Sequence, residues 1–129
     1  MKTVGMFIEF GPVKQAEPQE SIKAHVGPGP LEDVDRVTAY LRSGHPLIDM
    51  MDVQEDVFDS SQRPIMNGSS IATDGDWLWR DDLAYYVRRH NVALPDEFLQ
   101  LIRQRNYVVP DVAEAVLDAA GAEAERLMF

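Results

Sequence analysis

Cysteine is absent from this chain of 129 residues, which removes disulfides, thiol catalysis and thiolate metal sites at once. Long apolar runs are absent too: nowhere do ten hydrophobic residues follow one another, so no membrane-spanning helix is expected. The opening MKTVGMFIEF lacks the basic flank, apolar stretch and small-residue cleavage site of a secretory signal, and a cytoplasmic location is the expectation. Positive charge is scarce. Twelve Lys and Arg stand against 22 Asp and Glu, a formal net charge of -10 divided evenly between the halves of the chain. A uniformly acidic surface repels nucleic acid and anionic lipid and attracts basic partners. His25, His45 and His90 fall in no HxxxH or HExxH spacing, so no zinc site is expected, nor any cofactor. No GxSxG elbow, Ser-x-x-Lys pair or dinucleotide fingerprint occurs, and Gly27-Pro28-Gly29-Pro30 lacks the N–H donors that a phosphate needs.

What is present reads as a single α+β domain over residues 1–129: a small antiparallel sheet with an Asp-Gly hairpin, covered by about four helices. Thr3 to Phe10 is rich in β-formers and reads as a first strand closed by Gly11-Pro12. Ser21 is placed to cap a short helix carrying Ile22 and Val26. The spacing of Leu31, Val34, Val37 and Leu41 predicts a helix over 31–42, with Gly44 as a left-handed C-terminal cap. Between Leu47 and Asp59 the apolar residues fit neither period well; Pro46, Val53 and Val57 favour a bulged strand, and Ser60 to Gly68 reads as a loop.

The clearest local signal is the hairpin. Ser69–Thr73 and Asp76–Arg80 flank Asp74-Gly75, a dipeptide suited to a two-residue turn with positive φ at both positions. Strand alternation puts Trp77 and Trp79 on one face and Leu78 on the other. Asp81 or Asp82 then caps a helix running to about His90. Pro95 opens another, with Asp96 and Glu97 at its positive end and Arg103 and Arg105 near its negative end. Asp111 and Glu114 have capping-box spacing for a last, alanine-rich helix with Val112, Val116, Ala120, Ala124 and Leu127 along one side.

Two groups of acids could carry function. Asp49, Asp52, Glu55, Asp56 and Asp59 form a run with no compensating base. Its plainest reading is a solvated face, its next a contact for a basic partner; the run lacks the central glycine of a calcium loop. Asp74, Asp76, Asp81 and Asp82 surround Trp77 and Trp79. Turn formation and core packing account for this second group, whereas a partner-binding patch would use the tryptophans as anchors within an acidic rim.

The stretch Thr73–Val87 (TDGDWLWRDDLAYYV), followed by Leu94–Leu99 (LPDEFL) and preceded by Tyr40–Gly44 (YLRSG), resembles a class of small, acidic bacterial proteins of the actinobacterial type, immunity proteins of toxin systems among them. The resemblance covers roughly the last two-thirds of the chain and assigns no binding residues. It implies a non-enzymatic inhibitor that binds a basic toxin or effector domain. Under that reading Asp49, Asp52, Glu55, Asp56, Asp59, Asp74, Asp76, Trp77 and Trp79 are the partner-binding candidates, and no residue is assigned to catalysis. Two alternatives stay open. One is a small hydrolase using two carboxylates from Asp49, Asp52, Asp56, Asp74 and Asp76; the other is a subunit that forms homodimers through its alanine-rich last helix.

Overall fold

Residues 1–129 are described by a computed structural model. Six strands and four α-helices make up the fold, with five of the strands consecutive and three of the helices following them. In order they are β1 (Lys2–Val4), α1 (Val34–Arg42), β2 (His45–Ile48), β3 (Val53–Gln54), β4 (Ile65–Met66), β5 (Ile71–Thr73), β6 (Trp77–Arg80), α2 (Leu83–His90), α3 (Asp96–Gln104) and α4 (Glu114–Met128). Ile8–Phe10 and Ile22–His25 are single 3₁₀ turns, the second begun by Ser21, whose hydroxyl accepts from the Lys23 amide.

The architecture follows from the two faces of β6. Trp77 and Trp79 point to one side, where Val37, Tyr40 and Leu41 of α1, Leu83 and Val87 of α2 and Phe98 and Ile102 of α3 close over them. Leu78 points to the other side and meets Met6, Ile71 and the Ala120, Ala124 and Leu127 stripe of α4. The sheet is thus a middle layer between three helices and one. It runs β1-β6-β5-β2, and it is mixed, because β1 pairs parallel to β6 while the other pairs are antiparallel. A third cluster, built on Phe7, Ile22, Tyr86 and Val92, fills the far side of α2 with help from Phe10, Phe58, Ile65 and Tyr85. Charged clasps fasten the helical layer. Arg103 forks onto Asp33 at 2.9 and 3.1 Å, Tyr107 donates to the same carboxylate, and Arg88 reaches Asp35 and the Thr38 hydroxyl. The bonds from Arg103 and Tyr107 hold the Asp33 carboxyl down at about 2.

Several elements differ from their sequence signals for identifiable reasons. The first strand ends at Val4 instead of Phe10, since Gly5 takes φ +77° and turns the backbone beneath Leu83. Gly44 is not a left-handed cap. It is glycine because a Cβ there would lie 2.6 Å from the ring of Trp79 and 3.0 Å from Ala72. The hairpin turn has positive φ at Gly75 alone, and the register pairs Thr73 with Leu78, so four residues make the connection. Pro95 and Ala113, not a helical proline and Asp111, occupy the N-cap positions of α3 and α4. Asp82 sits at the N-cap of α2, yet its buried carboxylate turns to Arg80 at 2.9 and 3.1 Å and makes no cap bond. Val116 is 42% exposed, while Ala120, Ala124 and Leu127 of the expected α4 face are buried. Two segments read as a single strand and a loop instead yield β2, with its register shift after Pro46, and the separate β3–β4 ribbon. No helix is long and apolar enough to cross a membrane.

Candidate functional site

The nine candidate residues divide between opposite ends of the β5–β6 hairpin. At the turn, Asp74 is a structural hub. Its Oδ1 accepts the amides of Asp76 and Trp77 at 2.9 and 2.8 Å, and its Oδ2 accepts the Tyr40 hydroxyl at 2.7 Å and Arg105 Nη1 at 3.1 Å. Burial, then the neighbouring Asp74 carboxylate, pushes the Tyr40 hydroxyl far above its ordinary range, so it stays a donor. Asp76 is exposed but paired with Arg105. Trp77 and Trp79 are core residues: they are 6% and 0% exposed, and the Trp79 indole donates to the Leu41 carbonyl at 3.0 Å. Their burial under α1 and α3 removes both from any surface contact, and Asp74 with them.

At the other end lies the acidic run, and its side chains sort by a strict alternation. From Asp49 to Asp56, every odd-numbered residue is exposed and every even-numbered one is partly or wholly buried. The polarity of the pattern is inverted. Asp52, Gln54 and Asp56 turn inward, whereas Met51 and Val53 turn out, at 97% and 58% exposure.

The inward acids are satisfied by dedicated partners. Asp56 Oδ2 accepts the Tyr85 hydroxyl at 2.6 Å and lies 2.6 Å from His90 Nε2, while Oδ1 accepts the Phe58 amide at 2.8 Å. Burial pushes the Asp56 carboxyl up, but the bonds from Tyr85, His90 and Phe58 outweigh it and the net displacement is downward. The same carboxylate, after burial, holds the Tyr85 hydroxyl up at about 12. Phe58 stacks on the His90 ring at 4.5 Å. Asp52 accepts from the Ser69 hydroxyl and from Gln54 Nε2 at 2.7 Å through Oδ2, and its other oxygen is buried without a partner. These bonds outweigh burial and keep its carboxyl below the ordinary range. Asp59 is exposed and closes its own turn, where Gln62 and Ser61 bring it down to about 2.

What remains on the surface of the original set is Asp49, Glu55 and Asp59, none in an ion pair, together with the paired Asp76. Around them the structure gathers apolar residues that the sequence did not mark as a site. Val53 lies directly across the ribbon from Met66, which is 66% exposed, so these two side chains share the outer face with Met51. Asp81 joins the acids, its carboxyl raised first by partial burial and then by the charge of Asp49. Alternation was the signal that could have found the ribbon, but either face of residues 49–56 carries both apolar and charged residues. The deciding partners, Ser69, Tyr85 and His90, lie far along the chain.

A larger concavity, about 1080 Å³, opens beside β1 between α3 and α4. Lys2, Glu97, Glu123 and Arg126 line it, and they are already joined as Lys2–Glu97 and Arg126–Glu123 pairs. Of the carboxylates considered for hydrolysis, only Asp76 reaches this groove. The two raised carboxyls, Asp81 and Asp82, are not among its lining residues. No two of the five carboxylates considered for hydrolysis meet in this groove. No protein-family model, curated protein or solved structure matches the chain.

Proposed function

We propose that this chain is a non-enzymatic binding protein, an immunity-like inhibitor that recognises a basic toxin or effector domain through its acidic surface. One observation supports the reading above the rest: Asp49, Glu55 and Asp59 stand exposed at one end of the molecule with no ion-pair partner, while half of the twelve Lys and Arg residues are held in ion pairs elsewhere. Carboxylates left free in this way raise the encounter rate with a basic surface and orient it before contact. Three internal acids fit the same picture, because Asp74 and Asp82 are held by Arg105 and Arg80 and Asp56 lies against His90.

The test is affinity capture from the native host at low ionic strength, with the chain and with an Asp49→Asn, Glu55→Gln, Asp59→Asn variant. A basic protein held by the first, released by salt, lost with the variant and rendered harmless on co-expression is the expected result. Capture of no protein, or retention indifferent to the three substitutions, overturns the reading.

A further inference from the structure

We infer that the outer face of the β3–β4 ribbon, formed by Met51, Val53 and Met66, seats in a shallow apolar pocket of the partner whose rim carries lysine or arginine. This rests on the binding reading above and adds where contact is made and what the partner must offer.

The large exposed apolar residues elsewhere, such as Ile8, Val26, Val108 and Phe129, are scattered and need no explanation. The ribbon gathers three on one face. Val53 and Met66 are cross-strand neighbours, and Met51 is two residues before Val53 on the same side of the alternation. The orientation is enforced from below. A slip of one residue would bury Met51 and Val53 and free Asp52 and Asp56, while carrying Asp49 and Glu55 inward. Asp56 prevents it by accepting from Tyr85 and lying against His90, as does Asp52 by accepting from Ser69 and Gln54. Ile65 and Gln54, on the inner face, complete the anchor. Polar groups thus hold an apolar face outward.

Charge selects the occupant. Asp49 and Glu55 bracket Met51 and Val53 on that outer face, Asp81 lies within reach of the Asp49 charge, and between 49 and 66 the single base is Arg63. A second copy of the chain would set these carboxylates against themselves, and anionic lipid would be repelled. A basic rim around an apolar pocket satisfies both parts of the face. Methionine suits such a contact because its flexible thioether adapts to the shape it meets.

The test uses the full chain carrying ¹³C-methyl methionine and a displayed library of short random peptides as the probe. Peptides retained by the chain are sequenced, and the most abundant one is synthesised and titrated. We expect enrichment of Lys and Arg beside aliphatic or aromatic residues, with movement of the Met51 and Met66 methyl signals and none at buried Met6. A Met51→Ser, Met66→Ser variant should bind about tenfold more weakly with its melting temperature unchanged. Asp49→Asn with Glu55→Gln should weaken binding at low salt and little at high salt. Basic peptides that bind without moving Met51 and Met66, or that bind the methionine variant equally well, overturn the ribbon assignment while leaving the acidic-surface reading intact. A retained pool without basic enrichment overturns both. A dimer in sedimentation that the methionine variant dissolves also overturns the assignment, since a second copy is then the occupant.

Discussion

The β5–β6 hairpin and the β3–β4 ribbon are both antiparallel pairs made largely of apolar and acidic residues, and they solve the same sorting problem in opposite senses. In the hairpin every side chain of the two strands is buried, and Asp74 folds back to build the turn that aligns them. In the ribbon Asp52 and Asp56 go inside and Met51, Val53 and Met66 stay out. The difference lies in partners. The hairpin is placed between two helical layers that offer apolar surface to both faces, so hydrophobic burial decides its orientation. The ribbon's inner face meets Tyr85, His90 and Ser69, which offer hydrogen bonds to carboxylates. A carboxylate bonded in this way can be buried without a net penalty, while an unbonded one cannot. Orientation of a strand is therefore set by what lies beneath it as much as by its own pattern.

This contrast can be broken at either end. The largest effect is expected in the hairpin: Trp79→Ala removes a fully buried ring and should destabilise the fold by about 3–5 kcal/mol in a denaturant titration. A loss near that of a surface site would mean that the ring is not the keystone of the helical side. On the ribbon, Asp56→Ala should cost about 3 kcal/mol, because it leaves Tyr85 and His90 facing each other with no acceptor. If the variant is as stable as the parent, hydrogen bonding does not fix the ribbon's orientation. Gly44→Ala should cost about 1–3 kcal/mol, through the contact its methyl would make with the Trp79 ring. Its near-ultraviolet circular dichroism should report the displaced indole.

Acid sharpens the comparison further. The carboxyls of Asp52 and Asp56 lie below their ordinary value of 3.8 in the fold, so the stability they contribute is present above that pH and lost as pH falls through their depressed values. Asp82, beside the hairpin, is raised by burial despite Arg80. Its contribution has the opposite sign: present below 3.8, and lost as pH rises through its raised value. Acidification should therefore disturb the Tyr85 and Phe58 proton resonances before those of Trp79, and simultaneous loss of all three would contradict this. The smallest effects belong to the outer face. Met51→Ser and Asp49→Ala should each change stability by no more than about 0.5 kcal/mol, so a larger change in the denaturation midpoint would show that these residues are held by the fold.

Much of the scaffold was legible because its signals are local. The Leu31, Val34, Val37 and Leu41 spacing marks α1, Asp74-Gly75 marks the hairpin, and alternation correctly separates Trp77 and Trp79 from Leu78. What escaped depends on distant residues. Gly44 answers to a tryptophan ring, β1 stops where Gly5 passes under Leu83, and the parallel pairing of β1 with β6 has no sequence mark. For the site, free carboxylates at 49, 55 and 59 could be read from the lack of nearby bases. Asp56 and Asp74 could not be told apart from them, because His90 and Arg105 reach them from other elements. The exposed ribbon was hidden by its inverted polarity.

The parallel strand at the sheet edge bears on how the molecule is made. Lys2 aligns with Trp77, so most of the chain lies between two segments that must meet. During synthesis Val4 and Phe7 precede the hairpin and α2 that complete their cover, and Met6 precedes α4 as well, so these apolar positions are made long before their partners. An edge strand that pairs with a distant partner thus leaves its apolar side chains open to self-association for as long as that partner is missing.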